Sequence, residues 1–203
     1  MTSDTNKFIE LLEPIYNDAA RYCRSLCSNR SPDDAEDVLQ QSLLQALEKF
    51  DTLKDEGKFK SWLFTIITRV FYSSVRRHFW KKFLPLDSRP GMIEIPEIYN
   101  RLENLDSKSV LRAALAKISV KERTALLLFE LAGFSMEEIK DMQEEKSLSA
   151  VKSRLSRARK KLKKYITGAE LKTSRNTNSN ISDEIEDIEN ETIKLTEQYK
   201  YGK

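Results

Sequence analysis

The sequence predicts an all-α protein with two small helical domains, joined by a flexible linker and followed by a polar C-terminal extension. Leu, Ala, Glu, Lys and Arg together make up 91 of the 203 residues, and these residue types favour helix. The five Gly and five Pro are too few for the many tight turns of an all-β fold. Apolar residues also recur at helical spacing in two separate blocks. We therefore predict a first domain over 1–84, a linker over 85–107, a second domain over 108–166 and a tail over 167–203.

The first block contains two clearly delimited helices. Ser31-Pro32-Asp33-Asp34 combines an N-cap serine, a proline at the first helical position and two acids in the first turn, so a helix should begin here and run to about Phe50. A polar loop over 51–58 separates it from a longer helix, Phe59 to about Trp80. The residues expected on the buried face of that longer helix are Phe59, Leu63, Ile66, Ile67, Val70 and Phe71.

The linker and the tail have different compositions from the two blocks. Pro85, Pro90 and Pro96 resist helix between residues 84 and 107. The tail carries eight acidic and five basic residues. It begins with a polar stretch, Thr173 to Asn180, that we expect to be disordered. The spacing of the apolar residues that follow predicts a short amphipathic helix; they are Ile185, Ile188, Leu195 and Tyr199.

The second block predicts three consecutive helices. Ser119 and Ser135 are each followed three residues later by Glu, which is the capping-box pattern of a helix start. Gly133 stands where the first of these helices must end. The last helix should open at Ser147 or Ser149. Its expected buried stripe is Val151, Leu155, Ala158 and Leu162.

Two short helices joined by a tight turn, with the second one basic, predict a helix-turn-helix that binds DNA. Residues 147–165 carry eight Lys or Arg and no acid. Recognition helices point their N-terminal residues at base edges, and the candidates are Ser149, Lys152, Ser153, Ser156 and Arg157. The candidates for phosphate contacts are Arg154, Arg159, Lys160 and Lys163.

The end of the long first-block helix mixes basic and aromatic side chains. Such a mixture suits single-stranded nucleic acid, because cations follow the backbone and rings stack on unpaired bases. The residues are Arg69, Phe71, Tyr72, Arg76, Arg77, His78, Phe79, Trp80, Lys81 and Lys82. The polar stretch from Asp33 to Asp37, with Gln40 and Gln41, is either a solvated helix face or a docking face, and its chemistry alone favours solvation.

Several classes of function are disfavoured. Cys23 and Cys27 share a helix face, but the single histidine, His78, lies far along the chain, so we expect buried apolar thiols and no metal site. One histidine and no Gly-rich phosphate loop predict no enzyme activity and no cofactor. No signal peptide or membrane span is visible, which predicts a cytoplasmic protein.

Three segments resemble the extracytoplasmic-function (ECF, group IV) sigma factors of bacterial RNA polymerase. They are Asp34-Ala-Glu-Asp-Val-Leu-Gln-Gln41, Phe59-Lys-Ser-Trp-Leu-Phe-Thr-Ile66 with Arg76-Arg77, and Val151-Lys-Ser-Arg-Leu-Ser-Arg-Ala-Arg159. Their order and separation match the family over residues 8–82 and 108–166.

The resemblance implies a transcription initiation factor that binds core polymerase, promoter DNA and, in many members, an anti-sigma protein. It implies contact with the clamp helices of the β′ subunit through Asp34, Asp37, Gln40 and Gln41. It implies reading and opening of the −10 element, with base capture by the loop over 49–58, through Lys49, Phe50, Leu53, Trp62, Arg69, Tyr72, Arg76 and Arg77. It implies reading of the −35 element through Lys152, Ser153, Ser156 and Arg157.

The chain departs from the family pattern at several positions. Gln41 replaces an acid, Leu53 stands where Phe is common, Arg69 stands where some members have Asn, and Lys140 replaces a small residue. The segment between Ser135 and Val151 is one residue longer than usual, so we expect a remodelled turn over 143–146. Two other functions remain open: a stand-alone helix-turn-helix regulator with a sensing or dimerising N-terminal half, and a helical interaction protein that binds no DNA.

Overall fold

The computed structural model describes residues 3–81 and 107–173, and the regular structure in these ranges is helical. The all-α fold class is therefore confirmed. The first domain contains α1 (Ser3–Leu12), α2 (Tyr16–Leu26), α3 (Pro32–Glu48) and α4 (Phe59–Lys81). The second contains α5 (Ser107–Lys117), α6 (Val120–Glu130), α7 (Met136–Met142) and α8 (Leu148–Thr173). The expectations for the proline-bearing linker and for a short helix over 185–199 lie outside the described residues.

The start of α3 follows the predicted capping pattern. The Ser31 hydroxyl accepts from the Asp34 amide at 3.1 Å, and the Asp34 carboxylate accepts from the Ser31 amide at 3.1 Å. Pro32 takes the first helical position, where its missing N–H costs nothing. The helix ends at Glu48, and Phe50 begins a short 3₁₀ turn instead of closing the helix.

The first domain packs α3 between α2 and α4 around an apolar core. Five of the six residues predicted for the buried face of α4 are buried and the sixth, Ile66, is partly buried. Inside the core, the hydroxyls of Tyr22 and Thr68 lie 2.9 Å apart, so each buried hydroxyl has a partner. Cys23 and Cys27 are buried free thiols, as predicted, and burial raises their pKa values to about 12 and about 11.

The polar loop between α3 and α4 is anchored by aromatic rings. It contains two 3₁₀ turns, Phe50–Thr52 and Glu56–Lys58. Phe8 meets Phe50 edge-on with ring centroids 5.4 Å apart, and Phe59 meets Phe8 at 5.5 Å. These contacts hold the first half of the loop against the bundle, while its remaining polar residues stay exposed.

The second domain is a helix-turn-helix with local signals at each boundary. Both predicted capping boxes form, at Ser119 with Glu122 and at Ser135 with Glu138. Gly133 adopts φ +76°, the left-handed conformation that ends a helix without a Cβ penalty. The Ser147 hydroxyl accepts from the Ala150 amide at 3.2 Å at the start of α8. That helix continues to Thr173, past the predicted domain end at 166 and into the predicted tail.

The two domains share one continuous core, which the division into separate domains did not anticipate. The rings of Phe64 on α4 and Phe134 lie 5.3 Å apart, and Lys60 donates to the Ala132 carbonyl at 2.9 Å. Arg123 on α6 is almost fully buried against α2. Its guanidinium donates to Ser28 at 2.6 Å and to Asn29 at 3.2 Å, and burial lowers its pKa to about 10. Within the described ranges, no helix is both long and apolar enough to cross a bilayer.

Candidate nucleic-acid interface

The recognition helix α8 separates its apolar and polar side chains as the helical period predicts. Val151, Leu155 and Ala158 are buried against the rest of the second domain, and Leu162 is partly buried. The opposite face is exposed and carries Ser149, Lys152, Ser153, Ser156, Arg157 and Lys160. The structure therefore brings the predicted base-reading residues together on one accessible surface, which we call the α8 face.

Three arginines of α8 contact acidic residues of the same domain. The Arg157 Nε lies 3.7 Å from Glu122, and Arg159 donates to Glu130 through Nε at 3.0 Å and Nη2 at 2.6 Å. Arg154 pairs with Glu145 and donates to Gln143 at 2.7 Å. The Arg154 side chain is only 12% exposed, so in this structure it lies against the turn and away from the α8 face. Its predicted phosphate contact would need this pairing to break.

Glu122 has several partners within the second domain. It completes the Ser119 capping box and accepts from Lys161 Nζ at 2.9 Å through each oxygen. Burial by itself would raise its pKa. The hydrogen bonds from Ser119 and Lys161 outweigh burial, so the pKa of Glu122 is held below its usual value. The sequence predicted its capping role but not its contact with α8.

The predicted −10 residues form two groups. Trp62, Arg69, Tyr72 and Arg76 are spaced seven, three and four apart, so they follow one face of α4, which we call the α4 face. Lys49, Phe50 and Leu53 lie in the loop before it. Trp62 is next to Phe59, with ring centroids 5.9 Å apart, and Leu53 and Phe50 pack partly buried against the core.

Arg77 belongs to neither group in this structure. Its Nη2 donates to the Gln41 side chain at 3.2 Å, on the side of α4 that meets α3. There it borders a groove of about 580 Å³. The groove is lined by Arg30, Asp34, Asp37, Val38, Gln40, Gln41, Leu44, Ser74, Arg77 and His78.

The groove, which we call the α3–α4 groove, contains all four predicted polymerase-binding residues: Asp34, Asp37, Gln40 and Gln41. It also contains Leu44, which is 58% exposed, and Arg30, which lies over the Phe71 ring. Sequence reasoning missed both residues. The only sequence signal for Leu44 was its position on the polar side of α3, and a single exposed apolar side chain is common on protein surfaces, so this signal does not distinguish a binding site.

Comparison with known proteins assigns the chain to a family. The sigma-70 region 2 family model matches residues 11–81, and the sigma-70 region 4 model matches residues 108–162. The ECF RNA polymerase sigma factor EcfG of Rhodopseudomonas palustris is 32% identical over 152 residues, covering 68% of this chain and 75% of that protein. The chain belongs to the ECF RNA polymerase sigma factors. The resemblance drawn from the three sequence segments is thereby confirmed.

Other relatives agree with this assignment. RNA polymerase sigma factor YlaC of Bacillus subtilis is 30% identical over 137 residues, covering 66% of this sigma factor and 78% of YlaC. The solved structure of the sigma factor RpoE with the anti-sigma factor NepR from Bartonella quintana matches with a TM-score of 0.64 and 26% identity. That match covers 79% of this chain and 97% of RpoE. As a family member, this sigma factor directs RNA polymerase to promoters to initiate transcription.

Proposed function

We propose that this sigma factor binds promoter DNA at two elements, −35 and −10, and binds core polymerase through a third surface. One observation carries this proposal. The α4 helix presents the basic and aromatic α4 face on one side and borders the α3–α4 groove on another. A single helix can therefore contact polymerase and an opened DNA strand together, while the α8 face reads duplex DNA upstream.

The α8 face is suited to the −35 element. Arg157 and Lys152 can donate to guanine, and Ser149, Ser153 and Ser156 can pair with several bases. Lys160 and Arg159 lie farther along the helix and are suited to phosphates, which set the register of the helix on the duplex. Arg154 supports the turn and leaves these contacts to its neighbours.

The α4 face and the loop before it are suited to the −10 element. Trp62 and Tyr72 offer partly exposed rings for stacking, and Arg69 and Arg76 are exposed cations for the backbone. Lys49 is the first residue of the loop. The partly buried Phe50 and Leu53 pack against the core and would form one side of a site for an extruded base. Extracting a base costs a few kcal/mol of stacking, so the pocket must compensate for that loss.

The α3–α4 groove is suited to a polymerase segment. Asp34, Asp37, Gln40 and Gln41 supply polar contacts around the exposed Leu44 side chain. A buried apolar centre with a polar rim is the usual anatomy of such interfaces. We assign the partner as the clamp helices of the β′ subunit, with an anti-sigma protein as a second partner, since the sigma factor RpoE is solved with the anti-sigma factor NepR. The chain acts in the cytoplasm, catalyses no reaction and uses no cofactor.

Run-off transcription with purified core polymerase tests this proposal. Start sites mapped genome-wide after overexpression supply the promoter template. The proposal expects core polymerase to gain promoter-specific transcripts only when this sigma factor is added. If the chain instead shifts promoter DNA alone and never associates with core polymerase, the stand-alone regulator is the correct function.

A further inference from the structure

The turn between α7 and α8 contacts the α4 face through Gln143 and Glu144. It follows Met142, and Glu144 within it adopts φ 54°, a left-handed conformation uncommon for a residue with a side chain. Glu145 donates its amide to the Lys140 carbonyl at 2.8 Å, which fixes the turn to the end of α7. The turn thus has a defined shape that directs Gln143 and Glu144 toward the first domain.

Gln143 connects three elements through one buried amide group. Its Nε2 donates to the Tyr72 hydroxyl on α4 at 3.1 Å and to the Lys121 carbonyl on α6 at 3.2 Å. Its Oε1 accepts from Arg154 on α8 at 2.7 Å. Gln143 is 7% exposed, and its two amide hydrogens and its oxygen all have partners.

Tyr72 faces the second domain with its hydroxyl. Burial of the ring raises the Tyr72 pKa. One helical turn away, Arg69 lies 3.2 Å from the Glu144 carboxylate. That ion pair is exposed, with side chains 63% and 74% accessible, so it contributes little by itself. Both interactions nevertheless use side chains that we assign to the −10 element.

We propose that the turn formed by residues 143–146 docks on the α4 face as an intramolecular competitor of the opened promoter strand, with Gln143 as the connecting group. This inference rests on the proposed role of Arg69 and Tyr72 in −10 binding. The second domain restricts access to the half-buried Tyr72 ring, and a phosphate cannot pair with Arg69 while Glu144 does. Loading on a promoter therefore requires the two domains to separate at this seam.

The polar contacts at the seam are individually displaceable, whereas full separation of the domains also has to break the Phe64–Phe134 and Arg123 contacts of the shared core. Neutral hydrogen bonds replace water contacts and so stabilise the docked state only modestly, and the exposed ion pair adds little. The same Gln143 amide also holds Arg154 at the base of α8. Separation at Tyr72 leaves that second contact in place, so the recognition helix keeps its support when the domains open.

A distance measurement tests docking without DNA. Spin labels are attached to Glu10→Cys in the first domain and Lys164→Cys in the second, both exposed positions. Native Cys23 and Cys27 are buried with raised thiol pKa values and take up label slowly.

Tyr72→Phe removes only the hydroxyl, and Tyr165→Phe makes the same change at an exposed site of α8. We expect Tyr72→Phe to lower the ratio of short to long distances about fivefold and Tyr165→Phe to leave it unchanged. Identical distributions for the two variants would overturn the docking.

An oligonucleotide measurement tests the competition. The full chain is titrated against fluorescent oligo(dT), because stacking on aromatic side chains tolerates any base. Gln143→Ala should bind it about fivefold more tightly than wild type, and Glu137→Ala, an exposed change on α7, should bind as wild type does. If the spin-label distances show that the domains open but Gln143→Ala binds oligo(dT) no more tightly than wild type, the competition is overturned. Failure of the wild type to direct core polymerase would overturn the proposed function. The distance measurement uses neither polymerase nor DNA, so it tests the docking of the two domains whatever the outcome with polymerase.

Discussion

The Nζ of Lys161 lies 2.9 Å from both carboxylate oxygens of Glu122. This contact ties the first turn of α6 to the middle of the recognition helix. The same carboxylate caps α6 through Ser119 and lies 3.7 Å from Arg157. The partners of this buried acid stabilise its ionised form. The contact with Lys161 also holds the basic helix α8 in place against α6.

Replacing Glu122 by Gln should lower the free energy of unfolding at pH 7 by about 1–3 kcal/mol, because the charged hydrogen bonds to Lys161 are lost. The pKa of Glu122 is lowered on folding, so its stabilisation is complete above the unfolded pKa and disappears as pH falls through the folded pKa. Urea unfolding at neutral and acidic pH should therefore show a difference between wild type and variant that shrinks on acidification. Glu137→Gln, an exposed change, is the control. A pH-independent difference would contradict this account.

Arg157→Ala and Lys160→Ala should separate base reading from phosphate contact. Loss of the Arg157 guanidinium should relax preference at one −35 position by about 1–3 kcal/mol. Loss of Lys160 should weaken all sequences alike and reduce the salt slope by about 1. Holoenzyme binding to a panel of −35 variants at several salt concentrations measures both effects. Equal losses across the panel for both variants would refute the assignment of Arg157.

Asp37→Ala should weaken association with core polymerase by about two- to fivefold, since a charged contact at the exposed rim of an interface contributes about 0.5–1 kcal/mol. Asp37 is exposed and lines the α3–α4 groove. Glu48→Ala, at the exposed end of α3 outside the groove, is the matched control. Titration of labelled sigma factor with core polymerase measures the affinities. Similar affinities for the two variants would place the polymerase contact elsewhere.

Cys23 and Cys27 should react with a thiol reagent at least about a hundredfold more slowly in the folded protein than in urea at pH 8. Both side chains are buried and their pKa values are raised to about 12 and about 11, so the reactive thiolate is scarce. The release of chromophore by an aromatic disulfide reagent follows the reaction. Rapid modification of either thiol in the native protein would show that α2 is less protected than its packing indicates.

Local signals in the sequence were sufficient for most of the fold. The capping residues Ser31, Ser119 and Ser135 start their helices as predicted, because a cap depends only on residues within one turn. Helix α8 continues seven residues past the predicted domain end at 166, and Gly168 lies inside the helix without ending it. The exposed α8 face was predictable because the helical period sorts apolar from polar side chains.

The sequence by itself determined the family, the helices and which face of each helix is apolar. Only the tertiary structure decided which faces meet: Phe64 with Phe134, Arg77 with Gln41, and Tyr72 with Gln143. The physical reason is the separation along the chain over which each kind of interaction acts. Capping and helical periodicity act over a few residues of chain, whereas Tyr72 and Gln143 are 71 positions apart and meet only because two apolar surfaces pack in one particular orientation.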